Sequence, residues 1–354
     1  MPPWMALAAG LILLVGGGEL LVRGAARLAT IYGLSPLVIG LTIVAFGTSA
    51  PELAVSLQAI RAGAGDVAVG NVIGSNIFNI LFILGASAIL VPLTVTRRLI
   101  WIEVPIVIGV SLLVVLFALD GRIGSVDGLV LLGVAIFYTG WLLRTSSADT
   151  TVEEGGEAGR SEGAGAFASA MTALAGLGLL VLGARWLVQG AVALAQAFGV
   201  SDVVIGLTII AAGTSLPEVA ASIVAALRGQ RDMAIGNVLG SNIFNLTLIL
   251  GITAMAGDGL GIAPGVLHFD LVVMTAVAAA CLPIFFTGHT IARWEGALFL
   301  GYYAAYTLYL VLDTTNHEML PAFRDAMVFF ALPITLITLL VLAGRAAWSS
   351  RADR

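Results

Sequence analysis

Residues 33–60 read GLSPLVIGLTIVAFGTSAPELAVSLQAI, and residues 199–226 read GVSDVVIGLTIIAAGTSLPEVAASIVAA. Extended to 33–85 and 199–251, the two stretches align without a gap at an offset of 166, with 32 of 53 positions identical. Shared hydrophobicity does not place Thr48, Ser49, Pro51 and Glu52 onto Thr214, Ser215, Pro217 and Glu218. Nor does it match GNVIGSNIFN (70–79) to GNVLGSNIFN (236–245). A self-similarity of this strength is an internal repeat, and it governs the reading of everything around it.

The surrounding composition is that of a membrane protein. The chain of 354 residues is 59% hydrophobic and only 10% charged, with a mean hydropathy of +1.06, whereas soluble domains carry roughly 25% charged residues. A span needs about 20 apolar residues. Eleven such segments are expected, near 4–27, 35–61, 67–92, 99–119, 124–143, 168–196, 202–228, 233–256, 266–287, 291–312 and 325–346. The first has neither a basic leader nor a small-residue cleavage site, so it reads as a retained span.

All sixteen basic residues are Arg. With the N-terminus outside, twelve fall on the inner side and four (Arg61, Arg122, Arg185 and Arg324) on the outer. That bias predicts an N-out, C-in chain. Five spans separate equivalent points of the repeat, so the second copy enters the membrane from the opposite side. The expected fold is therefore an all-α integral membrane protein: two inverted five-helix repeats, 1–143 and 167–312, and an eleventh helix within 313–354. The Gly- and Glu-rich joint, 144–166, reads as a cytoplasmic linker; its acids lack the spacing of a calcium-binding loop.

A span with an acid, two hydroxyls and a helix breaker at its middle calls for an explanation. Proline has no N–H and collides with the carbonyl four residues back. Carbonyls near Ala45–Gly47 and 211–213 are thus expected to leave the helical ladder, which at membrane depth is tolerated only in a protein interior or beside water. Thr48, Ser49 and Glu52 converge on one side of the helix. In the next span Asn71, Ser75 and Asn79 share a face, and Asn237, Ser241 and Asn245 repeat them. Hydroxyls, amides, carbonyls and carboxylates suit hard cations such as Ca²⁺. His268, His289 and His317 all lie near helix ends, which disfavours soft-ligand metals.

Each of these residues also has a plainer role. Gly70 and Gly74 suit helix packing, and Ser and Thr in a span often cap their own backbone. Glu52 and Glu218 differ, because a mid-membrane carboxylate costs at least about 2.5 kcal/mol and no Arg is expected at their depth. Glu19 is expected to pair with Arg23. Glu103, before Pro105, and Asp270 are expected to sit at helix starts, where the helix dipole favours an acid. Cys281 stands alone, without a partner for a disulfide.

GTSAPE with GNVIGSNIFN, repeated as GTSLPE with GNVLGSNIFN, resembles the paired alpha repeats of the calcium/cation antiporter superfamily. The likeness is to its sodium/calcium exchanger branch, above all the prokaryotic inner-membrane antiporters, and covers about residues 1–312. The Glu-containing signature of the proton/calcium branch is absent. The resemblance implies alternating access around a central site for Ca²⁺ or several Na⁺, with no permanently bound cofactor. Carried over by position, the ligands are Ala45, Thr48, Ser49, Glu52, Ser75 and Asn79, with Ala211, Thr214, Ser215, Glu218, Ser241 and Asn245. Many exchangers carry an Asp where this chain has Asn79 or Asn245, which leaves two formal negatives and opens a second reading, exchange coupled to H⁺. The implied setting is a prokaryotic inner membrane, with the lipid bilayer and inorganic cations as partners and one chain sufficient. An intramembrane serine protease at Ser49 or Ser215 lacks a Lys or mid-span His as base. A channel would draw on oligomeric symmetry that an in-chain repeat does not need.

Overall fold

The computed structural model describes residues 1–146, 162–257 and 259–352. Most of the expected linker, with Arg160, lies outside these residues, as does Arg354. Eleven helical segments follow in order: α1 (Pro3–Tyr32), α2 (Pro36–Arg61), α3 (Gly65–Leu90), α4 (Leu99–Ala118), α5 (Ser125–Ser146), α6 (Glu162–Ala197), α7 (202–227), α8 (Arg231–Ala256), α9 (Val266–Phe286), α10 (Arg293–Thr314) and α11 (320–352). Among the described residues, nine helices are long and apolar enough to cross a membrane. Of the eleven expected spans, α7 and α10 are not among the nine. Helix α7 is interrupted, and its longest piece is Leu216–Leu227. Helix α10 has 22 residues but buries Glu295 in its first turn.

The interruptions fall where the repeat places them. Helix α2 breaks at Ser49 (φ −81°, ψ 3°) and restarts as Ala50–Arg61 with Pro51 in its first turn. Helix α7 breaks at Ser215 (φ −89°, ψ 7°) and restarts at Leu216 with Pro217 alike. Proline is tolerated there because first-turn amides have no helical partner. Each break is preceded by a π turn, Gly40–Val44 and Gly206–Ile210, and further π turns open at Asn79 in α3 and Asn245 in α8. One expectation fails in detail. The Ala45 carbonyl stays in the ladder, accepting from the Ser49 N–H at 3.0 Å; the amide missing at Pro51 is the one that would have met Gly47.

The halves interleave through an internal exchange of partners. The two-residue strand β1 (Leu93–Thr94) pairs antiparallel with β4 (Thr290–Ile291), and β2 (Arg122–Ile123) with β3 (Leu260–Gly261). Helices α1 and α6 cross antiparallel along glycines spaced by seven: Gly10, Gly17 and Gly24 against Gly176, Gly183 and Gly190. A Cβ on Gly17 would lie 2.8 Å from the Gly176 carbonyl oxygen and from Leu180 N, and one on Gly10 would lie 2.6 Å from Leu187 N. Small residues let backbones meet where lipid gives helices no hydrophobic reason to associate.

Elsewhere the symmetry is broken. Gly236 and Gly240 of α8 press on the first part of α2, at Leu37 and Leu41, and Gly40 presses back on Met233. Their counterparts Gly70, Gly74 and Gly206 have nothing within 4 Å of where a Cβ would stand. The packing reading of GxxxG thus holds for the second copy and not for the first. Helix α1 packs along Leu216–Leu227, while α6 makes no comparable contact with Ala50–Arg61.

Three acids outside the repeat motifs, Glu19, Glu103 and Asp270, have side-chain partners. Glu19 meets Arg23, as expected, and also takes a fork from Arg228, Nε to Oε2 at 2.7 Å and Nη2 to Oε1 at 2.6 Å. Glu103 is held by side chains rather than by a helix start: the π turn Leu99–Glu103 precedes Pro105. Arg98 Nε donates to it at 3.0 Å and the Tyr138 hydroxyl at 2.7 Å. Asp270 likewise accepts from Tyr306 at 2.8 Å and sits five residues into α9. Arg185 lies inside α6 and belongs to no loop. Helix α11 rests on α10, where the Tyr302 hydroxyl lies 2.6 Å from Thr335 Oγ1 and 3.1 Å from the Ala331 carbonyl.

The glycine crossing predicts that Gly17→Val lowers stability by about 1–3 kcal/mol, the usual cost of overpacking. Gly16→Val, with nothing within 4 Å, serves as the control. Thermal unfolding in detergent should show a lowered midpoint for the first variant only.

Candidate functional site

The two broken helices bring their motifs face to face, and the hydrogen bonds cross between the halves. Ser49 Oγ donates to Glu218 Oε1 at 3.1 Å, and Ser215 Oγ donates to Glu52 Oε1 at 2.8 Å. Thr48 stands beside Glu218 and Thr214 beside Glu52. Ser75 Oγ joins them, 3.2 Å from Ser215 Oγ. Both glutamates are 1% exposed. Among the described residues neither takes part in an ion pair. Two carboxyl groups are therefore held together in the interior with neutral donors only.

Asn79 and Asn245 approach from the facing helices, where the first residue of each π turn is also the last site residue of its motif. The Asn79 amide donates to Asn242 Oδ1 at 2.9 Å, and the Asn242 amide donates to the Asn76 carbonyl at 3.3 Å. The Asn79 bond leaves its carbonyl oxygen turned away from Asn242. Ser241 is buried on the same helix face as Asn245. Ala45 is buried and Ala211 is exposed at the surface. The Ala45 carbonyl, already in the ladder, also accepts from the Thr48 hydroxyl at 3.4 Å.

The unsatisfied atoms show what this arrangement can do. Buried polar atoms in proteins are nearly always hydrogen-bonded. Among the described residues ten buried side-chain N and O atoms have no partner. Six of these are Glu52 Oε2, Glu218 Oε2, Asn79 Oδ1, Asn245 Oδ1, Thr214 Oγ1 and Ser241 Oγ, every one an oxygen from the two repeated motifs. Burying such an oxygen unpaired costs about 1–3 kcal/mol. Six such oxygens from the two facing motifs are the donor type a hard cation prefers. No group of three His, Cys, Asp or Glu gathers among the described residues, so the donor set is carboxylate, amide, hydroxyl and carbonyl.

A second layer holds the first: spacing puts Asn71 and Asn237 on the face of the site, but not their partners Ser56 and Ser222. The Asn71 amide donates to the Glu52 carbonyl at 3.3 Å and to Ser56 Oγ at 3.1 Å. The Asn237 amide does the same to the Glu218 carbonyl at 3.5 Å and Ser222 Oγ at 2.9 Å. Ser56 and Ser222 sit one turn beyond the glutamates and repeat at the same offset, which is the one signal that could have found them.

Comparison with known proteins shows the family. The sodium/calcium exchanger protein family matches residues 2–144 and 168–312. CaxA of Alkalimonas amylolytica is 39% identical over 303 residues, 84% of this chain and 95% of its own. The inner membrane protein YrbG of Escherichia coli strain K12 is 38% identical over 265 residues, 72% of this chain and 79% of its own. A solved structure of the sodium-calcium exchanger NCX_Mj superposes with a TM-score of 0.75 at 32% identity, covering 87% of this chain and 98% of that one.

The cross-half bonds carry a test. Ser215→Ala removes the donor to Glu52, and Ser49→Ala the donor to Glu218. Each should weaken divalent-cation binding about tenfold, the weight of one charge-assisted hydrogen bond. Calcium titration followed by the thermal shift of the purified protein would read it.

Proposed function

Because the chain belongs to the sodium/calcium exchanger protein family, we propose that this calcium/cation antiporter exchanges Ca²⁺ for Na⁺ across a prokaryotic inner membrane. Glu52 and Glu218 supply the charge. Thr48, Ser49, Ser75, Asn79, Thr214, Ser215, Ser241 and Asn245 supply neutral oxygens, with the Ala45 and Ala211 carbonyls completing the set. The observation that carries the reading is the cluster of six partnerless buried oxygens from both halves.

Electrostatics explains why such a site exchanges ions rather than leaking them. Two buried carboxylates without a cation are strongly disfavoured in a low-dielectric interior. Bound to one Ca²⁺ or to two Na⁺, the site is neutral. The rearrangement that carries it from one face to the other is therefore far easier loaded than empty. A transporter that must be loaded to turn over in both directions is an antiporter.

The Arg distribution supports an N-out, C-in chain. In that orientation the end of the site beside Gly70, Gly74 and Gly206 faces outward, and the end where α8 presses on α2 faces the cytoplasm and is shut. The site draws its ligands from one chain, so a monomer suffices. In the second reading, favoured by the two Asn, protons replace Na⁺ on the two carboxylates.

Calcium uptake into proteoliposomes under an imposed sodium gradient, a proton gradient or none separates the readings. The expected result is sodium-driven uptake by the wild type, lost by at least a hundredfold in Glu52→Gln and in Glu218→Gln. Uptake driven by protons alone would replace the counter-ion. No calcium movement by folded wild type would overturn the proposal.

A further inference from the structure

Among the hydrogen bonds that differ between the two halves of the site, the one at Thr48 follows the packing around it. On the shut side Thr48 Oγ1 lies 3.2 Å from Asn237 Oδ1, and both residues are buried. Gly236 and Gly240, the neighbours of Asn237, press there on α2. The counterpart of this pair, position for position, is Thr214 with Asn71. Asn71 keeps its two amide bonds, to the Glu52 carbonyl and to Ser56, but is only half-buried. Thr214 stands beside Glu52 and makes no bond to Asn71, and the neighbouring Gly70 and Gly74 face open space.

The bond has a consequence for a cation. A threonine hydroxyl has one proton and two lone pairs. When the Thr48 proton points at the Asn237 amide oxygen, at 3.2 Å, rather than at the Ala45 carbonyl, at 3.4 Å, the lone pairs are free to face a cation held by the glutamates. Each Asn is itself fixed by its two amide bonds to the helix that carries the glutamate. An inverted repeat that changes access exchanges the conditions of its halves, so closure of the other side brings Thr214 to Asn71 and takes Thr48 from Asn237.

We infer that Asn71 and Asn237 are alternating positioning residues for ion exchange: each accepts the hydroxyl proton of the threonine facing it when its own side of the protein shuts, and thereby aims that threonine's oxygen at the cation. This rests on the exchange reading above. One of the two bonds exists in each access state, so the pair also sets the balance between the states. Apparent affinity on a face falls with the fraction of molecules open to it.

The test measures the KM for Ca²⁺ on each face, in right-side-out and inside-out vesicles, for Asn71→Ala and Asn237→Ala. Asn237→Ala removes the bond present here, depopulates this state and raises the ratio of outer to inner KM about fivefold, the worth of one neutral hydrogen bond. Asn71→Ala lowers the ratio by a similar factor. Should either variant not fold, Thr48→Val and Thr214→Val remove the same bonds from the other end and shift the ratio in the same opposite directions. Shifts in a common direction, or slower turnover with an unmoved ratio in a working exchanger, would overturn the inference and leave the exchange reading intact. A wild type that exchanges no cation would overturn both.

Discussion

The structure turns on two carboxyl groups, Glu52 and Glu218, both buried in the interior and, among the described residues, in no ion pair. A salt bridge would have solved the burial and closed the site. Serine hydroxyls from the opposite half satisfy one oxygen of each glutamate and leave the other unpaired. The protein thus retains an unmet electrostatic demand at its centre, which in the proposed function a cation meets. The broken helices, the facing asparagines and the second layer of Asn71 and Asn237 all serve to hold those oxygens in place.

Backbone proximity is the second constraint. Lipid cannot drive helices together by the hydrophobic effect, so close approach depends on residues without side chains. Glycines at intervals of seven fix the α1/α6 crossing, and the pairs Gly85 with Gly296 and Gly128 with Gly251 join the peripheral helices to the core. Interfaces built on backbone contact leave few interlocking side chains to unlatch when helices shift. The contrast between the pressed Gly236 and Gly240 and the open Gly70 and Gly74 is an asymmetry of packing in a molecule whose sequence is nearly symmetric there. The Glu19–Arg228 fork lies on the same shut side, and its counterpart positions hold Arg185 and Ala62, which cannot form one.

Much of this was legible in the sequence because the repeat supplies its own control. A hydroxyl, a proline and an acid recurring at one offset identify the break and the half-sites, and the halves are then forced to meet. What was not legible depends on which helix faces which. That Ser49 serves Glu218 rather than Glu52 follows from the crossing of the halves. Glu103 looked like a helix-start acid because Arg98 and Tyr138 are five and thirty-five residues away. Pro51 marked the break, but its effect on Ala45 was misjudged by the geometry of one turn. The π turns at Asn79 and Asn245 have no pattern in composition, since a single wide turn changes neither hydropathy nor period.

The central claim is that the two halves make one cation site and not two. Equilibrium dialysis of the purified protein with radioactive Ca²⁺, for the wild type and for Glu52→Gln and Glu218→Gln, tests it directly. The account predicts one Ca²⁺ per chain for the wild type and none for either variant at the same free calcium. Two Ca²⁺ per wild-type chain, or full binding retained by one of the variants, would contradict it.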